Sequence, residues 1–188
     1  MRPTTNRLQR GVTLVEVLVT MVILAIGLLG LVGLQARLQL LQAESYQRAQ
    51  ALMLLNDMAG RIANNRNNAA AYATTAPLGT GMNCPTDTTT RQAADTAEWC
   101  ATLQGASEES GAGARVGAMV GGRGCVQNLG NGQFLVTVAW QGLAPISAPP
   151  ANITCAANLY NGTGPGAVCV NDLCRRVVTT LVRIGTLT

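Results

Sequence analysis

The chain has 188 residues, with 13 basic side chains, all of them arginine, 9 acidic ones and no histidine. Hydrophobic residues make up 48% and charged residues 12%, the latter about half the usual share, so part of the apolar content belongs to a membrane rather than a core. Lack of histidine removes Ser-His-Asp and Cys-His nucleophiles, imidazole bases and His-ligated zinc, and a scattered net charge of +4 does not by itself call for nucleic acid.

The opening MRPTTNRLQRG carries Arg2, Arg7 and Arg10 and no acid. An apolar run follows from Val12 to Leu34, VTLVEVLVTMVILAIGLLGLVGL, which as a helix reaches ~35 Å and exceeds a hydrocarbon core of roughly 30 Å. The arginine flank belongs on the cytoplasmic side, so everything after Leu34 faces an oxidising compartment. A cleaved secretory signal begins in the same way, but this run is long, no A-x-A-like site closes it, and it contains an acid. That acid is Glu16. A carboxylate inside such a run costs at least ~2.5–3.5 kcal/mol and by default marks a functional position with a partner.

Arg10-Gly11-Val12-Thr13-Leu14-Val15-Glu16 resembles the prepilin peptidase site of type IV pilins and pseudopilins. The resemblance implies a leader of residues 1–11, a cut between Gly11 and Val12 on the cytoplasmic side, N-methylation of Val12, and Glu16 as the fifth mature residue. The family's first mature residue is usually Phe, and Val12 stands there instead. In physical terms, the cut frees an α-amino cation at the head of an apolar helix. The Glu16 carboxylate of a neighbouring subunit can neutralise it, favouring one axial register, because buried ion pairs repay desolvation only in good geometry.

Beyond Leu34 apolar residues recur at helical spacing through Leu38, Leu41, Ser45, Ala49, Leu52, Leu55, Ala59 and Ile62. Gln35, Arg37, Gln39, Gln42, Glu44, Gln47, Arg48 and Asp57 fall mostly on the other side. No proline interrupts residues 12–66, so the pattern predicts one helix of ~80 Å, with residues 12–34 as a transmembrane or filament-core segment and 35–66 as its amphipathic continuation. Gly27, Gly30 and Gly33 are candidate close-packing points or places where the helix loosens. The helix should end in the NNRNN stretch near Ala63–Asn68.

Residues 67–188 read as a small head. Residues 73–91 are a Thr-, Gly- and Pro-rich loop, 92–104 a short helix with Trp99 and Leu103 toward a core, and 105–124 a Gly-rich loop or irregular strand. Gln133–Gln141 alternates Phe134, Val136, Val138 and Trp140 against Leu135, Thr137 and Ala139, a strand that Pro145, Pro149 and Pro150 then stop. Residues 151–168 hold turn signals, where the sequons at Asn152 and Asn161 read as turn residues, and Cys174–Ile184 reads as a closing strand.

Cys84, Cys100, Cys125, Cys155, Cys169 and Cys174 all lie in this head, and an even, widely spaced set with no CxxC reads as three disulfides that compensate for a thin core. Six cysteines admit fifteen pairings, among which the sequence does not choose. Closing the two short loops would join Cys84 to Cys100 and Cys169 to Cys174, leaving Cys125 with Cys155.

The apolar run, SYQRAQAL, NDMAGRIANNRNNA, DTAEWC and VTVAW together resemble the minor pilins of the PilV, or pilus-modification, kind. That resemblance implies a pilin-like α+β fold, a long N-terminal helix on a small antiparallel sheet head. It also implies a non-enzymatic structural subunit without cofactor or metal. The chain would be made as a single-pass inner-membrane precursor, N-terminus cytoplasmic and head periplasmic. Trimmed by prepilin peptidase, it would pass from the assembly platform with other minor pilins and the major pilin into an initiating complex or the tip of a surface pilus.

Three other readings compete. A type II secretion pseudopilin shares the pattern of residues 11–34, but Asp87, Asp95 and Asp172 are too isolated for the calcium loop such heads often carry. A DNA-uptake pilin would want positive charge, yet removing the three leader arginines leaves 10 basic against 9 acidic residues, with Arg175-Arg176 the main basic pair. A membrane-anchored enzyme lacks histidine and has no adjacent carboxylates beyond Glu108-Glu109.

Overall fold

A computed structural model describes residues 11, 13–106, 111, 117 and 119–185. Leader residues 1–10, Val12 and the Glu108-Glu109 pair lie outside the described residues. The elements in order are α1 (Leu14–Asn64), a 3-10 helix η1 (Arg66–Tyr72), β1 (Leu78–Gly79), α2 (Arg91–Leu103), β2 (Arg123–Gly130), β3 (Gln133–Gln141) and β4 (Arg175–Arg183). The fold is α+β and pilin-like: a long N-terminal helix whose later part packs on a small antiparallel sheet, with three disulfides.

The chain divides into two compact units, residues 1–42 and 43–188. In the first, α1 is apolar all round and long enough to cross a membrane, and none of its most apolar window is buried within the chain. Residues such as Leu14 (81% exposed) and Leu29 (72%) are left unburied by the chain itself, which suits a surrounding of lipid or other subunits.

In the second unit the later part of α1 buries Gln47, Ala51, Leu55, Met58 and Ile62, a stripe at steps of three and four. The expected stripe is thereby corrected: Leu55 and Ile62 belong to it, but Ser45, Ala49 and Leu52 are exposed and Gln47 is buried. Gln47 tolerates burial because its Oε1 accepts from the Val120 N–H at 3.3 Å.

The sheet has the order β1-β2-β3-β4, antiparallel throughout. β2 and β3 join through Asn131 and Gly132, both at positive φ, a two-residue turn whose twist suits a hairpin. One face of the sheet, with Val126, Phe134, Val136, Val138, Trp140 and Val182, meets the α1 stripe, Trp99 and Leu103 in the main core. Trp99 lies flat on β2 where Gly124 stands, since a Cβ at Gly124 would overlap the indole, and its Nε1 donates to Leu54 O at 2.9 Å. The opposite face carries a second, smaller core of Cys125, Ala139, Cys155, Ala156 and Tyr160, built where the long β3–β4 connection folds back over the strands.

η1 goes beyond the expected elements, and β1 and β2 are the weaker strands that the sequence leaves without a place. β1 lies inside the expected loop 73–91, η1 follows α1, and β2 begins where the Gly-rich stretch ends. Disulfides join Cys84 to Cys100, Cys125 to Cys155 and Cys169 to Cys174.

Candidate functional site

At the N-terminus, Thr13 stands at the N-cap of α1, its Oγ1 accepting from the Glu16 N–H at 3.3 Å. Glu16 is the third residue of the helix, where a negative charge suits the exposed N–H groups of the first turn. Its side chain is exposed, and among the described residues no group pairs with its carboxylate. Any partner therefore comes from outside the described part of this chain. Gly11 is exposed, and a Cβ built there meets nothing within 4 Å. Intolerance of a side chain at Gly11 would thus come from an enzyme acting on the backbone rather than from this fold. Gly27, Gly30 and Gly33 likewise face open space.

The head holds the polar cluster that sequence reasoning missed. Arg61 on α1 reaches three carboxylates, with Nε 2.9 Å from Asp57 Oδ2 and Nη1 2.9 Å from Asp95 Oδ1 and 2.8 Å from Glu98 Oε2. Asp95 on α2 is 3% exposed, and it also accepts the Tyr72 hydroxyl at 2.5 Å and the Arg91 Nε at 3.1 Å. The cluster fastens α2 and the end of η1 to α1 and lines an open groove of about 580 Å³. Hydrogen bonding to Glu98, offset by burial and reinforced by Asp57 and Asp95, holds the Arg61 guanidinium above its ordinary pKa. Burial pushes the Asp95 carboxyl up, but the Tyr72 and Arg61 hydrogen bonds and the Arg91 charge outweigh it, and the net shift is downward. With its charges paired internally, the groove is a clamp between helices. Among the described residues no group of three His, Cys, Asp or Glu side chains could hold a metal. The i,i+4 pairs Asp57–Arg61 and Arg91–Asp95 were the available sequence signals.

A second buried pair organises the β3–β4 connection. Asp172 Oδ1 accepts from the Asn158 N–H at 2.7 Å, and Asp172 Oδ2 lies 3.0 Å from Arg175 Nε, close but not aligned as a hydrogen bond. Arg175 Nη1 donates to Ile153 O and Cys155 O at 2.8 and 3.0 Å. Arg176 donates to Ala144 O at 2.6 Å and lies 3.5 Å from Glu44. The Arg175-Arg176 pair, the candidate basic patch, thus spends its donors inside the head. Asn161 accepts from the Asp172 N–H at 2.8 Å, a turn role for that sequon residue. Asp87, Asp95 and Asp172 sit in three separate environments: a surface turn with Thr89, the Arg61 clamp, and the Arg175 pair.

The family model of the prokaryotic N-terminal methylation motif matches residues 6–32. Neither a curated protein nor a solved structure matches the chain. The matched segment runs from the arginine flank through Gly11, Thr13 and Glu16 into the apolar part of α1. It supports a type IV pilin-like or pseudopilin-like chain, a substrate of prepilin peptidase that assembles with other pilins, and it fits anchoring in the inner membrane.

Proposed function

We propose that this chain is a minor pilin of the pilus-modification kind, a non-enzymatic subunit that primes assembly of a type IV pilus or sits at its tip. The observation that carries the reading is the methylation motif over residues 6–32, running without interruption into a helix long and apolar enough to span a bilayer. In this reading residues 1–11 are the leader, residues 12–34 the bilayer and filament segment, 35–66 the rest of the spine and 67–188 the periplasmic head. Prepilin peptidase cuts after Gly11 and Val12 becomes the methylated N-terminus. The Glu16 carboxylate answers the new ammonium of the next subunit. Inside hydrocarbon a lone carboxylate costs at least ~2.5–3.5 kcal/mol, so the pairing both relieves that cost and selects the axial register. The assembly platform then lifts the helix from the bilayer among other minor pilins and the major pilin.

Mass spectrometry of the protein from envelopes and sheared pili tests the reading. A mature chain beginning at Val12 and carrying one added methyl is expected, with Gly11→Val retaining the full leader. Glu16→Ala should be cleaved and membrane-inserted yet depleted at least tenfold from the sheared fraction. A native chain that still begins at Met1, or begins beyond Leu34, would overturn the assignment.

A further inference from the structure

The two edges of the sheet end differently. At one, β1 is two residues long and pairs with Gly124 and Arg123. Thr74 takes up the next outward backbone groups there, its N–H donating to Val126 O at 2.9 Å and its hydroxyl accepting from the Val126 N–H at 3.0 Å. At the other edge β4 runs nine residues in unbroken register with β3, from Arg175 opposite Gln141 to Arg183 opposite Gln133, with no bulge and no proline.

That register settles which way each backbone group faces. Gly142 N–H donates to Cys174 O and Ile184 N–H to Gly132 O, so the even-numbered residues of this segment turn their amides and carbonyls toward β3. The N–H and C=O groups of Val177, Thr179, Leu181 and Arg183 therefore point away from the sheet. Among the described residues nothing bonds to them. Arg175, the remaining odd position, donates its N–H to Asp172 O at 3.0 Å.

We propose that the open edge of β4 docks an extended segment of another polypeptide, added antiparallel as a fifth strand with an acidic residue at its N-terminal end beside Arg183. Natural sheets blunt such edges by shortening, bulging, charging or covering them, and β1 with Thr74 shows that treatment on the far side. β4 carries arginine only at its ends and no acid along its length. Thr179, Leu181 and Arg183 are exposed, and Leu181 stands opposite Leu135 on the face away from α1. Backbone pairing supplies the affinity, while Leu181 and Arg183 set the preference for an apolar neighbour and a carboxylate. A second copy of β4 is the poorer occupant, since twofold pairing centred on Thr179 sets Arg183 of each copy opposite Arg175 of the other.

Amide exchange followed by NMR on the full-length protein in detergent tests it. The probe is a short capped peptide of one aspartate followed by alternating valine and threonine. The peptide should slow exchange at Val177, Thr179, Leu181 and Arg183 at least tenfold and leave the already protected Val178, Thr180 and Val182 unchanged. Thr179→Pro removes an outward donor without touching the β3 ladder and should abolish the effect while the melting temperature holds. Arg183→Gln should weaken the aspartate peptide several-fold but not a serine-headed one, which keeps the proposal falsifiable if the proline variant does not fold. No protection at about 1 mM peptide, equal protection of odd and even amides, or protection without peptide that rises with protein concentration would each overturn it.

Discussion

At Asp95 a nearly buried carboxylate is surrounded by the Tyr72 hydroxyl and two guanidiniums, and its ionised form is worth more folded than unfolded. Asp95→Asn keeps the shape but leaves Arg61 with only Asp57 and Glu98. A loss of about 1–3 kcal/mol in urea unfolding of the full chain is expected. The sign of the pH effect follows from the direction of the shifts. Asp95 and Glu98 are both lowered in the folded state, so their contribution is fully present above the unfolded carboxylate range near pH 4 and disappears as pH falls through the lower folded values. Unfolding midpoints should therefore drop from about pH 5 downward, and Asp95→Asn should flatten that slope; an unchanged slope would mean that other carboxylates carry it. In the sequence Arg91, four positions away, is the one local partner of Asp95, because Arg61 lies 34 positions away and Tyr72 lies 23. Only the packing of α2 across α1 makes them neighbours, and no local spacing records that.

Helix α1 shows how an element can be legible while its orientation is not. Its length, its absence of proline and its end near Asn64 follow from composition, as do α2, β3 and β4. The buried stripe was misread because Leu38 and Leu41 anchored it, and those residues belong to the unit that buries nothing of that segment within the chain. Counting by threes and fours from there places Leu52 inward, whereas Met58 and a satisfied Gln47 are what the core contains. Leu55→Ala, at 3% exposure, should cost about 2–5 kcal/mol, and Leu52→Ala, at 41%, less than about 1 kcal/mol. Denaturation of both variants checks the stripe directly, and equal costs would refute it. β2 escaped for another reason: glycines at 124 and 130 dilute its pattern. Yet Gly124 is what admits the Trp99 ring, and the Asn131-Gly132 pair ahead of a clear strand was an unused hairpin signal for its partner.

At the scale of the molecule, one unit buries nothing of its apolar window within the chain and the other holds two cores with few large side chains, so cross-links bear weight that packing carries elsewhere. The bonds close spans of 16, 30 and 5 positions. Chain entropy alone assigns them about 3, 3.6 and 2 kcal/mol respectively. Cys125–Cys155 also ties the β3–β4 connection to β2 in the middle of the smaller core, so geometry and entropy rank it first. Paired Cys→Ala replacements, read by urea midpoints of the full chain under oxidising conditions, should therefore destabilise in the order Cys125–Cys155, Cys84–Cys100, Cys169–Cys174. The last pair tests whether entropy is the whole account. Its short loop holds Asn171 and Asp172 at positive φ, a conformation that costs non-glycine residues of order 1 kcal/mol each, and Asp172 must stay there to receive the Asn158 N–H and face Arg175. If losing Cys169–Cys174 costs more than losing Cys84–Cys100, the bond acts on the folded state, by holding Asp172 in place. The connection over the sheet should then loosen with it, visible as faster amide exchange at Asn158.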